Sequence, residues 1–158
     1  MCGIVGYIGQ FKATDVILNG LKKLEYRGYD SCGISFYSDK GKGFKTYKTP
    51  GRVDLLINSF DYNEANHIGI GHTRWATHGA PNQVNSHPHS SSSKRFIVVH
   101  NGVIDNYQEL IIKYLEGVKL VSETDTEVIA NLIEKFSQEM QVDQAIRKTL
   151  SLLEGSYA

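Results

Sequence analysis

The sequence predicts an α+β fold on three observations. Ile17, Leu21 and Leu24 recur at helical spacing, as do Ile129, Leu132, Ile133 and Phe136. Two alternating segments, 34–37 and 44–48, flank a glycine-containing turn and read as a β-hairpin. A continuous apolar run at 96–99 reads as a strand buried on both faces. Helices and strands of this kind, interspersed along 158 residues, suit one domain, taken here as 1–158.

The elements follow in order. Ile4, Val5 and Ile8 mark a buried first strand that ends at Gly9, with Gly3 and Gly6 letting backbone approach a ligand. An amphipathic helix spans 13–25, starting near Thr14 or Asp15 and stopping before Gly28. Residues 26–31, Tyr-Arg-Gly-Tyr-Asp-Ser, form a loop dense in hydrogen-bonding side chains. After the hairpin, Val53, Leu56, Ile57 and Phe60 mark a short helix, 61–66 a polar loop and 68–71 a glycine-laced strand. Residues 72–95 lack periodicity and are expected to be one long loop, with recognition-type side chains Arg74, Trp75, Thr77 and His78 in its first half and a solvated tip at 90–93. Tyr107, Leu110, Ile111, Tyr114 and Leu115 define a helix begun near Asp105, and 119–121 a short strand. Thr124 and Glu127 are spaced as a capping box for the next helix and put Asp125 in its first turn, where a carboxylate suits the helix dipole. A last helix, 142–153, carries Ala145, Ile146, Leu150 and Leu153, and 156–158 opens another strand.

Composition removes several classes of function. Seventeen basic and seventeen acidic side chains cancel, which argues against a dedicated nucleic-acid or membrane-surface partner. Two cysteines are too few for a secreted disulfide framework, and no apolar run approaches a membrane span, so a cytoplasmic location is expected. Five histidines, His72, His78, His87, His89 and His100, fall in one stretch, but their spacing matches no standard zinc pattern. No metal and no cofactor is expected.

The candidate chemistry begins at Cys2. Cysteine is small enough for a preceding methionine to be trimmed, which leaves a thiol and a free α-amine on one residue. An α-amine titrates close enough to neutrality to take the thiol's proton, so nucleophile and base coincide. On this stretch alone, an inert Cys2 in an ordinary first strand is the simpler reading. Asn101-Gly102 is normally just a turn, but an Asn side chain and a Gly N–H aimed at one point also make an oxyanion hole.

Five motifs occur in order: 1–6 (Met-Cys-Gly-Ile-Val-Gly), 24–31 (Leu-Glu-Tyr-Arg-Gly-Tyr-Asp-Ser), 71–79 (Gly-His-Thr-Arg-Trp-Ala-Thr-His-Gly), 100–102 (His-Asn-Gly) and 122–127 (Ser-Glu-Thr-Asp-Thr-Glu). Together they resemble the N-terminal-nucleophile, class II glutamine amidotransferases. Thr73, Trp75 and His78 make the chain most similar to the glutaminase domain of glutamine:fructose-6-phosphate amidotransferases, ahead of relatives that form phosphoribosylamine or asparagine. The resemblance implies an αββα four-layer sandwich of the N-terminal-nucleophile hydrolases. It implies hydrolysis of L-glutamine to glutamate and ammonia, the ammonia passing to fructose 6-phosphate in a longer synthase with sugar isomerase domains, a homodimer when full length.

By the same resemblance Cys2 is the nucleophile, and Asn101 and Gly102 are the oxyanion donors. Arg74 grips the substrate α-carboxylate, Asp125 holds its α-ammonium, and Thr77 and His78 are further substrate contacts. Trp75 is similar to a gate for ammonia, Arg27 belongs to the site loop, and Cys32 stands where the family commonly has a small residue and is read as packing. His78 or His100 could serve Cys2 as a papain-like base, but the terminal amine makes a histidine unnecessary. The family's glutaminase domain is longer than 158 residues and continues into isomerase domains, so the resemblance implies a second sheet incomplete at the C-terminal end. The competing reading is an inactive interaction module. The isolated chain is expected to be weakly active or inactive and prone to self-association, which sizing by light scattering beside an ammonia assay checks. A monodisperse monomer with brisk glutamine hydrolysis contradicts it.

Overall fold

A computed structural model describes residues 2–38, 40–61, 63–75 and 80–158 of the chain. They divide into two compact units, Met1–Pro88 and His89–Ala158.

In the first unit, β1 (Gly3–Ile8) alternates with period two. Val5 and Tyr7 join the core, while Ile8 is 77% exposed, so the expectation that Ile8 is buried fails. The reason is its place on the outward pleat of β1, an edge strand of a four-stranded sheet. The hairpin forms as expected but longer, from β2 (Ser31–Ser38) and β3 (Gly43–Pro50). β4 (Ile68–Arg74) runs antiparallel between β1 and β2. It therefore takes in His72, Thr73 and Arg74, which lack of periodicity had assigned to a long loop. Being paired on both edges, β4 is held by the ladder rather than by an apolar pattern, which is why the sequence conceals its end.

The helix α1 (Ala13–Leu24) covers this sheet with Ile17, Leu18 and Leu21, and continues into a single 3₁₀ turn over Glu25–Arg27. Its N-terminus is not capped by its own residues. Asn66, fully buried, takes the Ala13 N–H on its carbonyl (2.9 Å) and the Thr14 N–H on its side-chain oxygen (2.9 Å). Short α2 (Val53–Ile57) adds Val53 and Leu56 to the core, and the Glu25 carboxylate accepts the Val53 N–H. At Gly33 the His87 carbonyl lies so near that a β-carbon would meet it at 2.2 Å, and the His72 and His87 rings stack at 4.1 Å.

The second unit holds a two-stranded pair, β5 (His89–Ser90) with β6 (Ile97–Val98), and a second pair, β7 (Gly102–Ile104) with β8 (Gly155–Tyr157). The run 96–99 is half-buried rather than buried on both faces, because Phe96 and Val98 face the core and β6 has one strand neighbour. Of the tip expected at 90–93, Ser90 is half-buried and Ser91 buried, and the exposed stretch runs over 92–95 instead. Three helices, α3 (Tyr107–Tyr114), α4 (Asp125–Phe136) and α5 (Val142–Leu150), enclose a core of Ile104, Leu110, Leu132, Phe136 and Leu153.

Three expectations fail here. Residues 119–121 form no strand, since the Glu127 carboxylate takes the N–H groups of Val121 (2.9 Å) and Ser122 (2.6 Å) in place of a neighbouring strand. The same contacts remove Glu127 from a capping box, and Thr124 makes no side-chain cap. On α5 the buried stripe is Ala145 and Thr149, leaving Ile146 and Leu150 exposed. Among the described residues no helix is long and apolar enough to cross a membrane. Asn66→Ala keeps the backbone carbonyl that takes the Ala13 N–H but removes the side-chain acceptor of the buried Thr14 N–H. It is expected to cost about 2 kcal/mol, read as a lowered urea midpoint with unchanged slope.

Candidate functional site

The first unit presents Cys2 at the end of its sheet. Register pairs Gly3 with Thr73, so the residues just beyond that pair, Cys2 and Arg74, flank the same end of β1 and β4. The half-buried Cys2 sulfur accepts the Trp75 N–H at 3.2 Å and lies 3.5 Å from the Trp75 carbonyl oxygen. Arg74, also paired with Ser31 of β2, is buried, and its Nη1 donates to the Ala80 carbonyl at 3.4 Å. A buried guanidinium at the same strand end as Cys2 is suited to an anionic ligand group by its fork of donors.

Around that end, Trp75 is half-exposed and meets Tyr29 edge-on at 5.6 Å, with the Arg52 guanidinium 5.9 Å from the Tyr29 ring centre. Arg27 closes the 3₁₀ turn and is partly buried. Thr77 and His78 lie outside the described residues. Cys32 lies in the hydrophobic core, and burial, with the Glu25 charge adding, pushes its thiol up to about 12. It stays protonated at neutral pH and is no nucleophile.

The second unit carries the other candidates. Asn101-Gly102 is not a turn. Asn101 and Ala158 exchange both backbone hydrogen bonds (2.9 and 2.8 Å), and the ladder continues as Gly102 opposite Tyr157. Antiparallel alternation then turns the Gly102 N–H away from β8, to the same edge as the Ile104 N–H. That edge is where Asp125 sits: its Oδ2 accepts the Ile104 N–H at 2.8 Å. An N–H donor and a fixed carboxylate are thus presented two residues apart along one strand edge, about 7 Å. Gly102 has φ of +135°, and a β-carbon there would meet the Ser156 carbonyl at 2.1 Å, so glycine is required.

Asp125 is 4% exposed and lies in the first turn of α4, as the sequence predicts. Its neighbours are each held. Thr126 Oγ1 is 3.0 Å from His100 Nδ1, and Thr124 Oγ1 is 3.1 Å from His89 Nε2 and 2.9 Å from Ser122 Oγ, which donates to Glu127 at 2.6 Å. His100, buried, has its Nδ1 3.9 Å from Asp125 Oδ1, and burial lowers its titration below the usual imidazole value against the opposing pull of Asp125. Sequence reasoning missed these supports. His89 and His100 stood out only as members of a histidine cluster, and nothing in local spacing marks partners 26 and 35 residues away. Among the described residues no group of three or more His, Cys, Asp or Glu could hold a metal.

Residues 58–146 match the family model described as a glutamine amidotransferase domain. The chain is 56% identical over 159 residues to glutamine–fructose-6-phosphate aminotransferase [isomerizing] of Bacillus cereus and 55% identical to that of Staphylococcus aureus. All of the chain is covered in both, but it spans only 26% of their length. A glutamine phosphoribosylpyrophosphate amidotransferase from B. subtilis superposes over the whole chain with TM-score 0.83 and 26% identity, covering 34% of that protein. A structure of the allosteric regulatory enzyme of purine biosynthesis does so with TM-score 0.85 and 27% identity, again over 34% of its length. These likenesses agree with the α+β, N-terminal-nucleophile fold expected from the motifs.

Iodoacetamide applied to the folded chain at pH 8 is expected to modify Cys2 and spare Cys32, and peptide mass mapping checks this. Equal labelling of both thiols contradicts the burial of Cys32.

Proposed function

Since the chain belongs to the glutamine amidotransferase family, we propose that it cleaves the side-chain amide of L-glutamine with Cys2 once Met1 has been removed. The Cys2 sulfur attacks the carboxamide carbon, and its proton passes to the residue's own α-amine. Collapse of the tetrahedral adduct breaks the C–N bond, and that proton leaves with the nitrogen as ammonia. A thioester remains, which water hydrolyses to glutamate, restoring the thiol. The Asn101 side chain and the Gly102 N–H stabilise the oxyanion, Arg74 binds the α-carboxylate and Asp125 the α-ammonium. Thr77 and His78 add substrate contacts, Trp75 gates ammonia, and Arg27 belongs to the surrounding loop.

The observation that carries this reading is the edge of β7, where the Gly102 N–H and the Asp125 carboxylate lie about two residues apart. That spacing is comparable to the distance in extended glutamine between the side-chain carbonyl oxygen and the α-ammonium. Support on the other unit comes from a thiol fixed by the Trp75 N–H next to buried Arg74.

Fructose 6-phosphate is the nitrogen acceptor we infer, because relatives named for it are 55–56% identical whereas the phosphoribosylpyrophosphate amidotransferase is 26% identical. The chain would then work as the glutaminase domain, residues 1–158, of a longer cytoplasmic synthase that is a homodimer with isomerase domains and has no nucleic-acid or membrane partner.

Intact mass before and after 6-diazo-5-oxonorleucine tests the chemistry. The expected result is loss of one methionine and one adduct mapping to Cys2, absent in Cys2→Ala; a processed chain that takes no adduct overturns the proposal. Asn101→Ala is expected to slow ammonia release by about a hundredfold or more, since removal of one oxyanion donor has that effect elsewhere.

A further inference from the structure

We propose that His100 is a positioning residue for Asp125 and a proton-operated control on amino-acid binding: an uncharged imidazole leaves the Asp125 carboxylate to the ligand's α-ammonium, and a protonated one competes for it. The inference rests on the reading that Asp125 takes that ammonium. Its basis is geometric. Asp125 Oδ2 is anchored by the Ile104 N–H at 2.8 Å, while Oδ1 stands 3.9 Å from His100 Nδ1, beyond hydrogen-bond reach but well within Coulomb range. The imidazole cannot turn away, because Nδ1 is engaged with Thr126 Oγ1 at 3.0 Å and the ring is buried. Among the described residues, the titratable groups facing it include Asp125 from α4 and the Tyr157 ring from β8, 6.4 Å away.

A charged His100 would face the bound ammonium as a like charge in a poorly solvated place. Burial lowers the titration of the imidazole from its ordinary value, against the opposing pull of Asp125. The control would therefore act only on acidification. Affinity should be level above about pH 7 and fall as pH drops through the lowered value. By linkage the ligand in turn lowers the titration of His100.

The test is calorimetric titration of the purified chain with L-glutamate, the reaction product that keeps the α-amino group, between pH 5 and 8. The expected result is a Kd that rises roughly tenfold toward the acid end. It should be flattened in His100→Asn, whose amide reaches the Nδ1 position toward Thr126 without titrating. Imidazole NMR of the wild-type chain gives a second reading that needs no variant, and L-glutamate should lower the His100 midpoint by about one unit for a tenfold coupling. The depressed value also costs fold stability as pH falls below 6.5, so circular dichroism of the same samples confines the comparison to folded protein. An acid-induced rise in Kd that persists in His100→Asn, or a His100 midpoint indifferent to L-glutamate, overturns the inference. Asp125→Asn separates it from its premise: retained affinity for L-glutamate in that variant defeats the assignment of Asp125 itself.

Discussion

The constraint on which the first unit depends is the register between β1 and β4. Six residue pairs, from Gly3 opposite Thr73 to Ile8 opposite Ile68, fix where the chain's first residues lie. A one-residue slip would reverse every side chain and move the Cys2 sulfur off the Trp75 N–H. Glycines make that register tight on the helix side: a β-carbon at Gly71 would meet the Ile17 side chain at 2.4 Å, and one at Gly3 the Leu24 and Thr73 side chains at 2.8 Å. The short motif around Cys2 is thus as much about packing a helix onto a thin sheet as about chemistry.

The second unit solves a different problem, holding a carboxylate with little access to water. An ionised Asp in a dry site is costly unless it is hydrogen-bonded. Asp125 receives the Ile104 N–H and sits at a helix N-terminus, where the dipole favours negative charge. Thr124 and Thr126 on either side are tied to His89 and His100, and Glu127 fastens residues 121–122. The segment 122–127 is therefore a bracket, in which Thr124, Thr126 and Glu127 are each held in place around Asp125.

Much of this was legible in the sequence. Period-3.6 stripes located α1, α3 and α4, and period-two alternation located the hairpin, because those patterns follow directly from which face is buried. The motifs named Cys2, Arg74, Asn101, Gly102 and Asp125. Hidden were features set by partners distant in sequence: the end of β4, the capping of α1 by Asn66, and the diversion of Glu127 from its own helix. Thr124 and Glu127 have capping-box spacing, yet extended backbone at 121–122 competes for the same carboxylate and takes it. The exposure of Ile146 and Leu150 was equally unreadable, since an apolar residue beside a stripe looks like one within it.

Gly102 joins these themes. Read locally, Asn-Gly after an apolar run signals a hairpin turn. The ladder with β8 instead keeps the backbone extended, and a left-handed φ there is admissible only because the residue lacks a β-carbon that would strike the Ser156 carbonyl. Gly155 meets the same condition two pairs along, with φ of +140° and the Val103 carbonyl 2.1 Å from where its β-carbon would be. Close backbone approach at both ends fixes the alternation of N–H groups along β7. That alternation determines that the N–H of Gly102 and the anchor of Asp125 share one edge. The separation between a donor suited to an oxyanion and a carboxylate suited to an ammonium is therefore set by strand geometry, and side-chain flexibility has little part in it.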